Sequence, residues 1–254
     1  DKPRFVAGSM GPTTKTISLT GGITYDELAS SFKNQAYGLL QGGVDFLLLE
    51  TSQDTINIKA GVDGIKEAFA DLGFQVPIAI QGTIEPMGTL LAGQDIEALY
   101  TSLEHLNLLW IGINCATGPS FMSDHIRQLA TFSKFPISCI PNAGLPDEDG
   151  NYNETPDMFS SAIEGFIDNG WLNVVGGCCG TGPDHIQKLA SVVSNKHPRK
   201  AVTEVQTRVS GIEALLIDDD SKPIIIGERT NVLGSRRFKR LIAQGLLEEA
   251  SEIG

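Results

Sequence analysis

Apolar residues in this chain gather into six short runs, and after each run they recur every three or four positions. The runs are FVAGSMG (5–11), DFLLLET (45–51), PIAIQGT (77–83), LLWIGINC (108–115), PISCIPNAG (136–144) and LNVVGGCC (172–179). Short, nearly continuous apolar stretches of this kind predict strands covered on both faces. The intervening segments predict helices. In TYDELASSFKNQAYGLLQGG (24–43), Leu28, Phe32, Ala36 and Leu39 keep one face apolar and glycine ends the pattern, as a C-terminal cap does. Similar patterns cover 56–72, 95–106, 122–133, 157–169 and 183–195.

The runs start at 5, 45, 77, 108, 136 and 172, the rhythm of repeated βα units with parallel strands. A (β/α)8 TIM barrel has eight such units. Six are visible by residue 195, and the chain opens directly on a strand without Met. The expectation is therefore an α/β barrel lacking its first two βα units, about 65 to 70 residues at this spacing. An open doubly wound sheet is the alternative that needs no further units.

Beyond 195 the rhythm stops. Residues 196–222 carry charges and prolines without a long amphipathic period, which reads as a linker. Residues 223–254 then give a strand-like IIIGERTN and a helical SRRFKRLIAQGLLEEASEIG, the beginning of a second domain, which the resemblance described below makes the first strand and helix of a second barrel.

Charge and cysteine usage narrow the class. A formal net charge of −12 argues against broad binding to nucleic acid, which needs a concentrated basic face. The cluster Arg236, Arg237, Lys239 and Arg240 is short and reads as a solvated helix face. The longest apolar stretches, such as LNLLWIGI (106–113), fall well short of the roughly 20 residues that span a bilayer, so no membrane partner is expected. Four cysteines, two of them adjacent, do not make a secreted disulfide framework, and a reducing cytoplasm is expected.

Their placement is informative. CATGPSFMSDHI (115–126) and CGTGPDHI (179–186) echo one another, setting Cys115 opposite Cys179 with Cys178 as an extra residue. The two segments belong to alternate strands, which in a barrel contribute to a common layer, so the three thiols should converge at the C-terminal mouth. Adjacent side chains on a regular strand point to opposite faces. Gly176, Gly177 and Gly180 make the break that would bring Cys178 and Cys179 together inexpensive. Three thiolates suit Zn2+ with one position left open. Other readings are small buried core residues and a redox pair, the latter leaving Cys115 unexplained. Cys139, inside a strand of the other parity, reads as packing, and His125 and His185 as helix N-terminal packing.

At these residues the chain resembles the homocysteine S-methyltransferase family, through GINC (112–115) and GGCCG (176–180), with support from VAGSMGPT (6–13), LLLETSQDT (47–55), IQGT (80–83) and PNAGLP (141–146). The continuation IGERTNVLGSRRFKRLI (226–242) resembles the opening of the folate-binding barrel in the cobalamin-dependent methionine synthase branch. The family's first strand, with its Asp-Gly-Gly motif, has no counterpart here.

The resemblance implies Zn2+ on Cys115, Cys178 and Cys179, and homocysteine as the substrate, contacted by Glu50 and Asn114. It implies Glu228 and Asn231 as pterin contacts, methyltetrahydrofolate as methyl donor, and methylcobalamin carried by domains of the full-length protein outside this chain. Alternatives are a cobalamin-independent homocysteine S-methyltransferase and a non-catalytic zinc-binding module.

Overall fold

The computed structural model describes residues 2–204, 206–224 and 230–253. They form two compact units, Asp1–Leu215 and Leu216–Gly254. The first unit holds six parallel strands, β1 (Ala7–Met10), β2 (Phe46–Ser52), β3 (Ile78–Gly82), β4 (Trp110–Asn114), β5 (Ile137–Ile140) and β6 (Val174–Val175). They alternate with α1 (Tyr25–Gln41), α2 (Thr55–Leu72), α3 (Ile96–Leu103), α4 (Pro119–Phe132), α5 (Pro156–Asp168) and α6 (Pro183–Val193).

Each strand pairs in parallel with its sequence neighbours, in the order β1-β2-β3-β4-β5-β6. A doubly wound sheet reverses its order at a switch point. This one never does, so it follows barrel order, a curled six-stranded part of a TIM barrel. Among the described residues β1 and β6 pair on one side only, and Phe5 and Val6, just before β1, are 73% and 60% exposed.

Local chemistry sets the boundaries. Thr24 and Glu27 form a reciprocal capping box at the start of α1. Asp54 caps α2 by accepting from the Ile56 N–H, and Gly73 ends it with φ 75°. Leu47, Leu49, Ile80, Ile111, Ile113, Ile137 and Cys139 pack with Leu28, Phe32, Ile65, Leu99, Ile126 and Ile163 in one buried cluster. By strand alternation, Leu48, Gln81, Gly112, Asn114 and Ser138 point the other way, into the barrel lumen. There the Gln81 Nε2 donates to Ser138 Oγ at 2.8 Å. Gly112 sits between them, where a Cβ would lie 2.0 Å from the Ser138 carbonyl oxygen.

Residues 196–215, expected as linker, lie within the first unit. Arg199 is 6% exposed and donates to the carbonyls of Ala130, Ser133 and Phe135, a cation at the C-terminal end of α4. β7 (Arg208–Ser210) and β8 (Ala214–Leu216) form a two-stranded sheet. Arg208 lies over the Phe132 ring, 4.7 Å from its centroid, and pairs with Glu97.

Replacing Arg199 by alanine leaves three carbonyls without their donor, and is expected to lower stability by about 2–4 kcal/mol. A urea denaturation midpoint that does not move would refute this role.

In the second unit the expected single helix is two, α7 (Arg236–Ala243) and α8 (Leu247–Ser251), because Gly245 turns the chain with φ 70°. Most of the expected strand IIIGERTN, including Glu228, lies outside the described residues, and no second barrel is visible among them. No described helix is long and apolar enough to cross a membrane.

Candidate metal centre

The site is built where β2, β4 and β6 end. Asn114 is the last residue of β4 and is fully buried. Its Oδ1 accepts from the Thr51 N–H at 2.8 Å, and its Nδ2 donates to Thr51 Oγ1 at 2.9 Å and to Glu50 Oε2 at 3.4 Å. Thr83 Oγ1 donates to its carbonyl at 3.0 Å. Asn114 thus ties the ends of β2, β3 and β4 together.

Glu50 lies where the β2–β3 register slips between Leu49 and Ser52, and such irregularities re-aim a side chain at a strand end. Its second oxygen, Oε1, accepts from the Ser9 hydroxyl on β1.

Immediately after Asn114 the backbone turns left-handed, with φ 61° at Cys115 and 58° at Ala116, and Thr51 beside them has φ 57°. Each non-glycine residue in this region carries about 1–2 kcal/mol of strain.

β6 stops at Val175, and two glycines separate it from the cysteine pair. Gly180 then adopts φ 77° with its Cα against Tyr152, whose Cβ and Cγ would lie 2.3 Å from an added Cβ. Only glycine fits this turn. The cysteine loop is fastened to the segment after β5: Cys178 N–H donates to Pro141 O at 2.8 Å, and Ala143 N–H to Cys179 O at 2.9 Å. Cys179 N–H donates to Asn142 Oδ1 at 3.1 Å.

These backbones bring three sulfurs together. Cys115 Sγ is 3.8 Å from Cys179 Sγ, and Cys178 Sγ is 3.9 Å from Cys179 Sγ. All three lie within 4.8 Å of one another. With zinc–sulfur bonds of about 2.3 Å, a tetrahedral site places its sulfurs about 3.8 Å apart, so the triangle fits one such ion. Among the described residues this cluster contains no fourth protein ligand.

The Cys115 thiol is pulled down to about 5, chiefly by the neighbouring Cys178 and also by the Ala116 N–H, Cys179 and Asn142. Cys178, beside Cys115 and partly buried, is pushed up. Asn114 Nδ2 also reaches Cys178 Sγ at 4.0 Å.

Cys139 takes no part. It is fully buried, its thiol 3.7 Å from the Met122 sulfur, and burial pushes it up to about 12. His185 is also committed elsewhere. Its Nδ1 accepts from Gly182 N–H at 3.2 Å, so its Nε2 carries the proton and donates to Glu154 O at 2.9 Å. Asn231, in the second unit, has its side-chain oxygen turned onto the Leu233 and Gly234 N–H groups.

Sequence reading did not single out Ser9, Thr51, Asn142 or Tyr152. Asn142 had a signal, standing in PNAG directly after a strand on the mouth side.

The described strands thus form a parallel sheet in barrel order, with a cluster of three thiols at their C-terminal ends that could hold a metal ion. The homocysteine S-methyltransferase family model matches residues 1–193, and the chain belongs to that family. Among solved structures it is similar to the homocysteine methyltransferase MmuM from Escherichia coli. Against the apo form the TM-score is 0.55 at 20% identity, over 74% of this chain and 62% of that one. Against the metallated form it is 0.53 at 21% identity, over 74% and 60%. The chain therefore spans less than two thirds of the length of these structures, and at this identity the likeness is one of fold.

Proposed function

We propose that the chain is the homocysteine-activating part of a zinc-dependent methyltransferase that forms methionine. The observation that carries this reading is the triangle of Cys115, Cys178 and Cys179, with spacings suited to zinc, at the same mouth as the Glu50 carboxylate. Support comes from the family membership of residues 1–193 and from the fold shared with a homocysteine methyltransferase that has been seen metallated.

A free thiol with pKa near 8.5 is only a few per cent thiolate at pH 7, a deficit of about 2 kcal/mol. Zinc on the three cysteines would supply a centre that binds the homocysteine sulfur as thiolate. The residues of the chain do the rest. Glu50, held by Ser9 and Asn114, presents a fixed carboxylate to the substrate ammonium. Asn114 spans Glu50 and Cys178, setting the distance between the amino-acid end of the substrate and the sulfur end. The absence of a fourth protein ligand among the described residues favours an open, substrate-binding site over a closed zinc staple.

For the methyl donor, the proposal is methyltetrahydrofolate acting through cobalamin, with cobalamin held by domains outside this chain. The family match ends at 193 while the chain runs on, and residues 223–254, with Glu228 and Asn231, are proposed to open the pterin-binding domain. A centre of three thiols working as metal ligands is proposed to sit in a reducing compartment such as the cytoplasm.

Zinc-edge X-ray absorption tests the reading. Adding homocysteine is expected to raise the sulfur count around zinc from three to four. A shell unchanged by homocysteine would mean a structural site, and failure to retain zinc would remove the basis of the proposal.

A further inference from the structure

The helices α2 and α3 are unequal partners. α2 runs for 18 residues and α3 for 8, so beyond Leu103 the chain returns to β4 with no helix beside the C-terminal half of α2. The gap between them is a cavity of about 660 Å3. It lies at the starts of β3 and β4, the end of the sheet opposite the cysteine cluster. Val62 and Phe69 of α2, Val76 and Ile78 around the start of β3, and Leu106 and Leu108 before β4 form its apolar walls. Small-molecule sites fall in the range of about 300–1,000 Å3 and combine such walls with a few polar groups.

The polar groups here favour one sign of charge. Lys66, Gln75 and Asn107 line the cavity, and among the described residues no aspartate or glutamate does so, in a chain whose net charge is −12. Lys66 is held only loosely. Its Nζ lies 3.5 Å from Asp63 Oδ1, with both side chains about half exposed, a pairing of small worth. Asp63 has a closer partner in the Tyr25 hydroxyl, which donates to its Oδ2 at 2.7 Å. Lys66 can therefore turn into the cavity without stripping the Asp63 carboxylate of its partner. A smaller cavity of about 130 Å3 adjoins the first, sharing Val62, Lys66 and Leu106, and Lys59 and His105 line it together with Asp63 and Tyr25.

We propose that the larger cavity is a binding site for an organic carboxylate with an apolar body. Lys66 holds the carboxylate, Gln75 and Asn107 supply amide donors beside it, and the body packs between α2 and the connection 104–109. Barrel enzymes keep their chemistry at the C-terminal ends of the strands, so this is a ligand site and not a second reaction centre. It stands independently of the metal reading of the three cysteines.

The test titrates the full chain with decanoate, below its micelle concentration, and follows methyl resonances by NMR. Those of Val62, Val76, Ile78, Leu106 and Leu108 should shift together and saturate at one equivalent, while Leu145, in the segment after β5, stays in place. Decan-1-ol, which has the same body without the charge, should bind roughly tenfold more weakly, the worth of a hydrogen bond to a charged group. Lys66→Met keeps an apolar stem and removes the cation, and should erase that preference. Leu106→Trp, which fills the cavity from its loop, should abolish binding of both compounds.

Equal affinity of wild type for decanoate and decan-1-ol would overturn the proposal, as would lining methyls that do not shift. Shifts of the same methyls on raising the protein concentration without decanoate would mean that a second copy of the chain covers the cavity, and would overturn it too. The wild-type titrations decide the matter even if a variant fails to fold.

Discussion

Cys115→Ala is expected to lose bound zinc, its affinity falling roughly a hundredfold or more. Apparent free energies for structural zinc sites are about 10–16 kcal/mol at neutral pH, so each of four ligands answers for about 3 kcal/mol. Cys115 is also the sole proposed ligand from the turn after β4, since Cys178 and Cys179 both come from the loop after β6. Without it the remaining two sulfurs, 3.9 Å apart, are adjacent residues that cannot close a tetrahedron. Methyl transfer to homocysteine should fall with the metal.

Cys139→Ala is the matching control. That thiol packs against Met122 in the core, so its removal should cost about 1 kcal/mol of stability and leave metal content unchanged. Zinc titration of the purified variants decides the matter: a Cys115→Ala protein that still binds one equivalent with wild-type affinity means the three-thiol site is wrong.

Gly112→Ala should be the most damaging single methyl group in the sheet. The added carbon would sit 2.0 Å from the Ser138 carbonyl oxygen and 2.2 Å from its Oγ. The carbonyl belongs to the neighbouring strand, so no side-chain rotation relieves the clash, and β4 and β5 must part. Overpacking usually costs 1–3 kcal/mol, and a clash with backbone should reach about 3 kcal/mol or more.

The damage would extend to function, because Asn114 and Cys115 lie two and three residues further along the displaced strand. At Gly176 an added Cβ meets nothing nearer than Ile140 at 3.5 Å, and Gly176→Ala should change stability little. Urea unfolding of the pair provides the check, and equal midpoints would contradict the packing argument.

Strands and helices of the barrel were legible because each unit repeats one physical problem: an apolar strand covered by an amphipathic helix. The six strands of the parallel sheet fall within the apolar runs except for the end of β2, which continues one residue further to Ser52. Convergence of Cys115 with Cys178 and Cys179 was legible from the echoed Cys-x-Thr-Gly-Pro and from alternate-strand geometry, and the two loops do meet.

What stayed hidden was anything that depends on long-range contact without a periodic signature. Arg199 reads as one more charge in a polar stretch until three carbonyls surround it. The pairing of Arg208 with Glu97 and Phe132 is equally silent in sequence. Tyr152 is marked by neither spacing nor composition, since its place against Gly180 is set by a turn. The helix after residue 235 was read as continuous because one glycine weighs lightly against a strong amphipathic pattern. In the fold, Gly245 divides it.

The left-handed backbone at Thr51, Cys115 and Ala116 sets an order of events for the whole unit. Conformational strain is concentrated at the ends of β2 and β4, above strands whose outward side chains are packed to near-zero exposure. Regions of low local stability open far more often than the global fold does, so the mouth is expected to open before the wall of the barrel. An ion held there would leave through brief fraying of the cysteine loops while the wall below stays intact. How long the metal remains and how long the fold lasts are then separate clocks. A change that weakens the wall, such as the loss of Arg199, would speed the second and leave the first untouched.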